Sequence, residues 1–103
     1  MNTQDILKGL GLSAVNAGAC SGTEWHAAAD APLVSSLNPA TGEVIAQVRA
    51  AGAGDYERVM ASAVAAFAAW REVPAPRRGE AVRLMGEALR ARKDLLGSLV
   101  SLE

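Results

Sequence analysis

The sequence predicts a mixed chain: an N-terminal arm over residues 1–32, a β-hairpin over 33–50, and two to three amphipathic helices over about 53–71 and 76–103. Three observations predict it. "LVSSLNPATGEVIAQV", residues 33–48, sets two apolar, β-prone runs around a turn of punctuation residues. Tyr56, Val59, Met60, Ala63, Phe67 and Trp70 recur at steps of three and four. Pro74-Ala75-Pro76 then breaks that rhythm, and a second apolar stripe resumes behind it.

Each element has a local reason. Residues 4–12, "QDILKGLGL", suit one or two helical turns, with Asp5 as N-cap and Gly11 as stop. Residues 13–31 are small and polar and read as an extended or irregular arm. Leu33–Leu37 reads as a strand that Asn38-Pro39 ends, because proline lacks an N–H. Thr41-Gly42 supplies a left-handed turn position. In Glu43–Ala50 the alternation places Val44, Ala46 and Val48 inward and Ile45 and Gln47 outward. Either Asp55 or Gly52 caps the first long helix, and Pro76 suits the first turn of the next. Val82, Met85 and Leu89 share one side of that helix. Leu95, Leu96, Leu99, Val100 and Leu102 extend the apolar face, with a kink near Arg92–Asp94 capped by Asp94. The apolar face still runs at Glu103, which predicts a piece of a longer chain.

Composition narrows the function classes. The chain has 103 residues, 10 basic and 11 acidic, and a formal net charge of -1. That leaves no electrostatic footprint for nucleic acid and no polybasic membrane patch. Apolar residues make up 50%, yet 22 residues are alanine, so little large apolar surface is available for a core. No apolar run reaches the roughly 18 residues of a membrane span. A lone cysteine, and a start without a basic-then-apolar leader, predict a cytoplasmic setting.

Groups that carry chemistry are few. Cys20 as a nucleophile needs a base, and His26 lies six residues on in a segment read as flexible, so an incidental thiol is the plainer reading. His26 with Glu24 and Asp30 matches no metal-ligand spacing. Gly9-x-Gly11 and Gly52-x-Gly54 are too short for a phosphate loop. Arg77-Arg78 suits an anion or, more simply, a solvated surface. Phe67 and Trp70 suit a partner site or a core stripe. From the residues alone there is no active site.

Resemblance supplies more. "NPATGEVIAQV" resembles the hairpin near the N-terminus of the aldehyde dehydrogenase superfamily, and "DYERVMASAVAAFAAW" is similar to that family's first helix. "PAPRRGE", "LGSLVSLE" and the early "LKGLGL" resemble the antiquitin branch, the α-aminoadipic semialdehyde dehydrogenases. The resemblance covers roughly residues 6–103. It implies an α/β fold in the intact protein, with residues 33–103 as the incomplete start of the NAD-binding domain and the hairpin as a structural corner. It implies oxidation of an amino-acid-derived semialdehyde to the carboxylate with NAD as cofactor, the choice between NAD and NADP staying open. In the family a cysteine attacks the aldehyde, a glutamate activates water, and an asparagine and a backbone N–H hold the oxyanion. All of these lie downstream of the position matching Glu103, and Cys20 does not match the nucleophile. No catalytic and no cofactor-binding residue is therefore assigned here. A monovalent cation site carries over onto the backbone carbonyls of Ser36 and Leu37 and the carboxylate of Glu103; such an ion takes hard oxygen ligands.

The partners implied are the remainder of the dehydrogenase chain and further copies, as a homodimer or homotetramer, with no nucleic acid and no membrane. By itself the 103-residue chain is predicted to be inactive. Two other readings stay open: a non-catalytic folding or assembly element, and a small helical binding module using its Phe67–Trp70 end. The coding sequence after Glu103 separates them.

Overall fold

Asn2 opens the first element, its side-chain Oδ1 accepting the Asp5 N–H at 2.9 Å. The computed structural model describes residues 1–103. Helix α1 runs Thr3–Gly9. Asn2, not Asp5, is its N-cap; Asp5 sits in the first turn, where its charge faces the positive end of the helix. Gly11 follows in the left-handed region, at φ 71°.

The segment read as an irregular arm is in fact strand-rich. It holds β1 (Val15–Asn16), β2 (Ala19–Ser21) and β3 (Glu24–His26). β2 and β3 form an antiparallel hairpin with Ser21 opposite Glu24, leaving Gly22-Thr23 as a two-residue loop. Gly22 has φ 61°, which the first position of a type II′ hairpin turn requires. β1 pairs in parallel with a later strand, and small residues permit the approach. A Cβ on Gly18 would lie 1.9 Å from the Arg49 carbonyl oxygen.

The main hairpin comprises β4 (Leu33–Leu37) and β5 (Val44–Arg49), and the three-stranded sheet has the order β1-β5-β4. Its turn is closed by backbone bonds from Asn38 N to Glu43 O and from Gly42 N to Asn38 O, at 2.9 and 2.7 Å, with Gly42 at φ 76°. Ser36 pairs with Ala46 and Leu37 with Val44, so Ile45 is an extra residue on β5. The expected facing of β5 is corrected here: Ile45 is buried, whereas Val44 and Val48 are exposed. Alternation groups residues by face but does not say which face is covered; α1 and the turn after it, through Leu7 and Leu12, lie on the Ile45 side, while β1 extends the sheet along the edge of β5.

Three helices follow: α2 (Ala53–Trp70), α3 (Ala75–Ala91) and α4 (Lys93–Leu102). Gly52 is the N-cap of α2, and its N–H donates to the Asp55 carboxylate three residues on; Pro74 precedes α3, which has Pro76 in its first turn. Arg92, at φ -112° and ψ 10°, is the break between α3 and α4. Asp94 does not cap α4; it lies one residue into its first turn.

Only Ile6, Leu7 and Ile45 form a buried apolar core, with His26 and Asp55 as buried polar residues. The stripes of α2 and α3 are uncovered: Tyr56, Phe67, Trp70, Met85 and Leu89 are exposed, and α3 buries nothing. The surface is 7605 Å², against about 5,500 Å² for a compact protein of this mass. The radius of gyration is 16.7 Å, against about 13 Å. The surplus of roughly 2,100 Å², just over half of it apolar, is worth about 30 kcal/mol of unrealised transfer free energy at about 25 cal/mol per Å². That is several times the roughly 5–15 kcal/mol by which whole domains are stable.

Candidate functional site

The residues with chemistry gather in two places. The first joins the two ends of the sheet-and-helix unit. Ser36, half-buried near the end of β4, donates its hydroxyl proton to Glu103 Oε1 at 2.5 Å, across 67 residues of sequence. α4 delivers Glu103 and β4 delivers Ser36. Leu37 follows at the strand end beside the bulge. The pair stands at one end of an open groove of about 550 Å³, walled by Leu7, Leu12, Val15, Ile45 and Leu99. Ser36 and Glu103, two of the three residues expected to hold a monovalent cation, meet through the Ser36 hydroxyl, not through the backbone carbonyl that the expectation named.

The second place lies where the β2–β3 hairpin meets the start of α2. His26 is buried, and its Nε2 lies 2.8 Å from Ser21 Oγ. Asp55 is also buried; it accepts the Gly52 N–H at 3.1 Å and an Arg58 N–H at 2.8 Å. The Gly52 N–H, and after it Arg58, hold Asp55 below its ordinary value of 3.8 against the opposing effect of burial. Sequence reasoning missed this cluster because 13–31 was read as irregular. The signal present in "ACSGTEWH" was its central glycine, a turn residue between two short runs.

The remaining candidates resolve plainly. Cys20 donates its thiol to the Gly22 carbonyl at 3.1 Å and stands opposite Trp25 on the paired strands. Successive strand residues face opposite sides, so Cys20 points away from the face shared by Ser21 and His26. Thiol and imidazole do not form a catalytic pair. No three of the His, Cys, Asp and Glu side chains cluster as a metal site. A dinucleotide phosphate does not fit the start of α2, because the Asp55 carboxylate already accepts the Gly52 N–H there. Arg77 and Arg78 open α3, and Arg78 Nε is buried without a partner. On the exposed face of α3, Arg83 binds Glu80 in a two-pronged pair at 2.9 and 2.7 Å, which draws Glu80 below its ordinary value and raises Arg83. No helix is long and apolar enough to cross a membrane.

The aldehyde dehydrogenase family model matches residues 25–103, and the chain belongs to that family. Among curated relatives, aldehyde dehydrogenase family 7 member A1 of Pisum sativum is 47% identical over 102 residues, covering 99% of this chain and 20% of the relative. The alpha-aminoadipic semialdehyde dehydrogenase of Bos taurus is 45% identical over 97 residues, 94% of this chain and 17% of the relative. A putative aldehyde dehydrogenase family 7 member A1 homolog of Caenorhabditis elegans is 47% identical over 98 residues, 95% of this chain and 18% of its own length. The chain therefore spans about a fifth of the length of these relatives.

Proposed function

We propose that this chain is the N-terminal segment of an NAD-dependent aldehyde dehydrogenase that oxidises α-aminoadipic semialdehyde, in equilibrium with piperideine-6-carboxylate, to the carboxylate. The observation that carries this reading is the 45% identity to the bovine semialdehyde dehydrogenase over nearly the whole chain. NAD supplies the hydride acceptor, and its binding residues, like the attacking thiol and the base, lie in the rest of the polypeptide. The chain's own residues do structural work. α2 and α3 offer uncovered apolar stripes on which the remaining α/β domain packs. Ser36, Leu37 and Glu103 hold a monovalent cation through oxygen atoms, tying β4 to the end of α4. On the same reading the whole enzyme is a cytoplasmic homodimer or homotetramer.

Steady-state kinetics of the full-length enzyme across aldehydes test the substrate assignment. A kcat/KM for a simple aliphatic or betaine aldehyde well above that for the semialdehyde overturns it. A second reading is a folding or assembly element without catalysis. A stop codon directly after Glu103 in the natural transcript selects it.

A further inference from the structure

The family match begins at residue 25, whereas the match to the pea relative takes in 102 of the 103 residues. Residues 1–24 thus lie outside the matched part of the family model and within the stretch aligned with the pea relative. Structurally they are not a loose end. They supply Ile6 and Leu7, two of the three buried apolar residues. Gly9 lies so close to α4 that a Cβ there would sit 2.9 Å from Leu95 Cδ1. Arg92, at the α3–α4 break, donates from Nη1 to the Gly9 carbonyl at 3.0 Å. Farther along, Gln47 N donates to Ala14 O at 2.8 Å, and Asn16 Nδ2 donates to Gln47 O at 3.2 Å.

The contacts of α1 and β1 fall on α4 and on β5, while β2, in the same segment, packs on the start of α2. α1 grips α4, which ends at Glu103; β1 grips β5, which pairs with the strand carrying Ser36. We propose that residues 1–24 are a strap that sets α4 against the sheet and so holds Glu103 at Ser36. Gly9, Arg92 and Leu95 are its positioning residues. Glycine at position 9 gives the closest approach of α1 to α4, and the Arg92 guanidinium satisfies a carbonyl that the end of α1 leaves free. A clasp 67 residues apart in sequence is held in register because both of its supports lean on one segment. The role of the clasp as a cation site rests on the function proposed above; the strap itself does not.

The test is hydrogen–deuterium exchange in the full-length enzyme. Gly9→Val drives a branched side chain into Leu95. The expected result is about tenfold faster exchange across residues 96–103, with residues 53–70 of α2 unchanged. Leu95→Ala in the Gly9→Val background opens space and restores slow exchange. Arg92→Gln, which leaves α1 packing intact, gives a smaller change of the same sign in the same residues. Unchanged exchange in α4 overturns the strap. So does equal acceleration of α2 and α4, or failure of Leu95→Ala to rescue. Activity at graded KCl, measured on the same variants, separates the two proposals: activity indifferent to K⁺ and Na⁺ in every variant removes the cation site, while the exchange pattern still decides the strap.

Discussion

Gly18→Ala is the sharpest perturbation the fold offers. The position is not glycine for its torsion angles, since only Gly11, Gly22 and Gly42 have positive φ. It is glycine because β5 passes directly over it. A methyl group there lies 1.9 Å from the Arg49 carbonyl oxygen, 3.1 Å from the Arg49 carbonyl carbon and 3.5 Å from the Ala51 nitrogen. All three atoms are backbone, so no rotamer change relieves the clash; the strands must separate. Overpacking of this kind costs about 1–3 kcal/mol, and an obstacle made of backbone belongs at the upper end. The reporter is the Gln47 amide, which donates to Ala14 O at 2.8 Å across the β1–β5 pair. At about 1.4 kcal/mol per decade, its exchange in the intact enzyme should quicken roughly five- to 150-fold by way of local opening. Gly54→Ala, where an added Cβ meets nothing, is the matched control and should leave that amide unchanged. An unaltered Gln47 exchange rate in Gly18→Ala refutes the placement of the arm against β5.

Two further predictions concern the sheet and α2. Ile45→Ala removes a buried side chain and should destabilise the intact protein by about 2–5 kcal/mol in urea titration. Val44→Ala, at an exposed position, should cost less than about 0.5 kcal/mol unless the rest of the chain covers it. Asp55 is held below 3.8, so its contribution to folding is present above about pH 4 and is lost as pH falls through the lower folded value. Far-UV circular dichroism of the 103-residue chain should therefore keep its helical signal from neutrality to about pH 5 and lose part of it below about pH 4. The Asp55→Asn variant should show a smaller acid-induced loss, and an equal loss in both would show that the capping carboxylate is not the titrating group.

Elements with strong local signals were legible in the sequence. Asn38-Pro39 and Gly42 end and turn the hairpin through backbone rules that need no tertiary context, and the proline pair 74 and 76 separates α2 from α3 for the same reason. The break at Arg92 was readable from the interrupted stripe, but its cap was not, because Arg92 makes the turn with its backbone alone. What depended on distant partners was not legible. β1 is two residues long and exists only because β5 lies beside it. The facing of Ile45 depends on a bulge and on which side α1 covers. The Ser36–Glu103 hydrogen bond was not legible: the resemblance named the Ser36 carbonyl and Glu103 as cation ligands, and nothing local to a serine in a strand or to a glutamate after a helix joins the two side chains. The Ser21–His26 contact was hidden by a run of small residues that looks shapeless until its central glycine is read as a turn.

On the proposed function, residues 1–103 contribute scaffold and no chemistry to a larger dehydrogenase. Aldehyde-dependent NADH formation measures it most directly, in three preparations: the 103-residue chain alone, the remaining polypeptide alone, and the two co-expressed. Turnover is predicted only in the co-expressed sample, where the exposed stripes of α2 and α3 regain their cover. NADH formation by the 103-residue chain on its own contradicts the account.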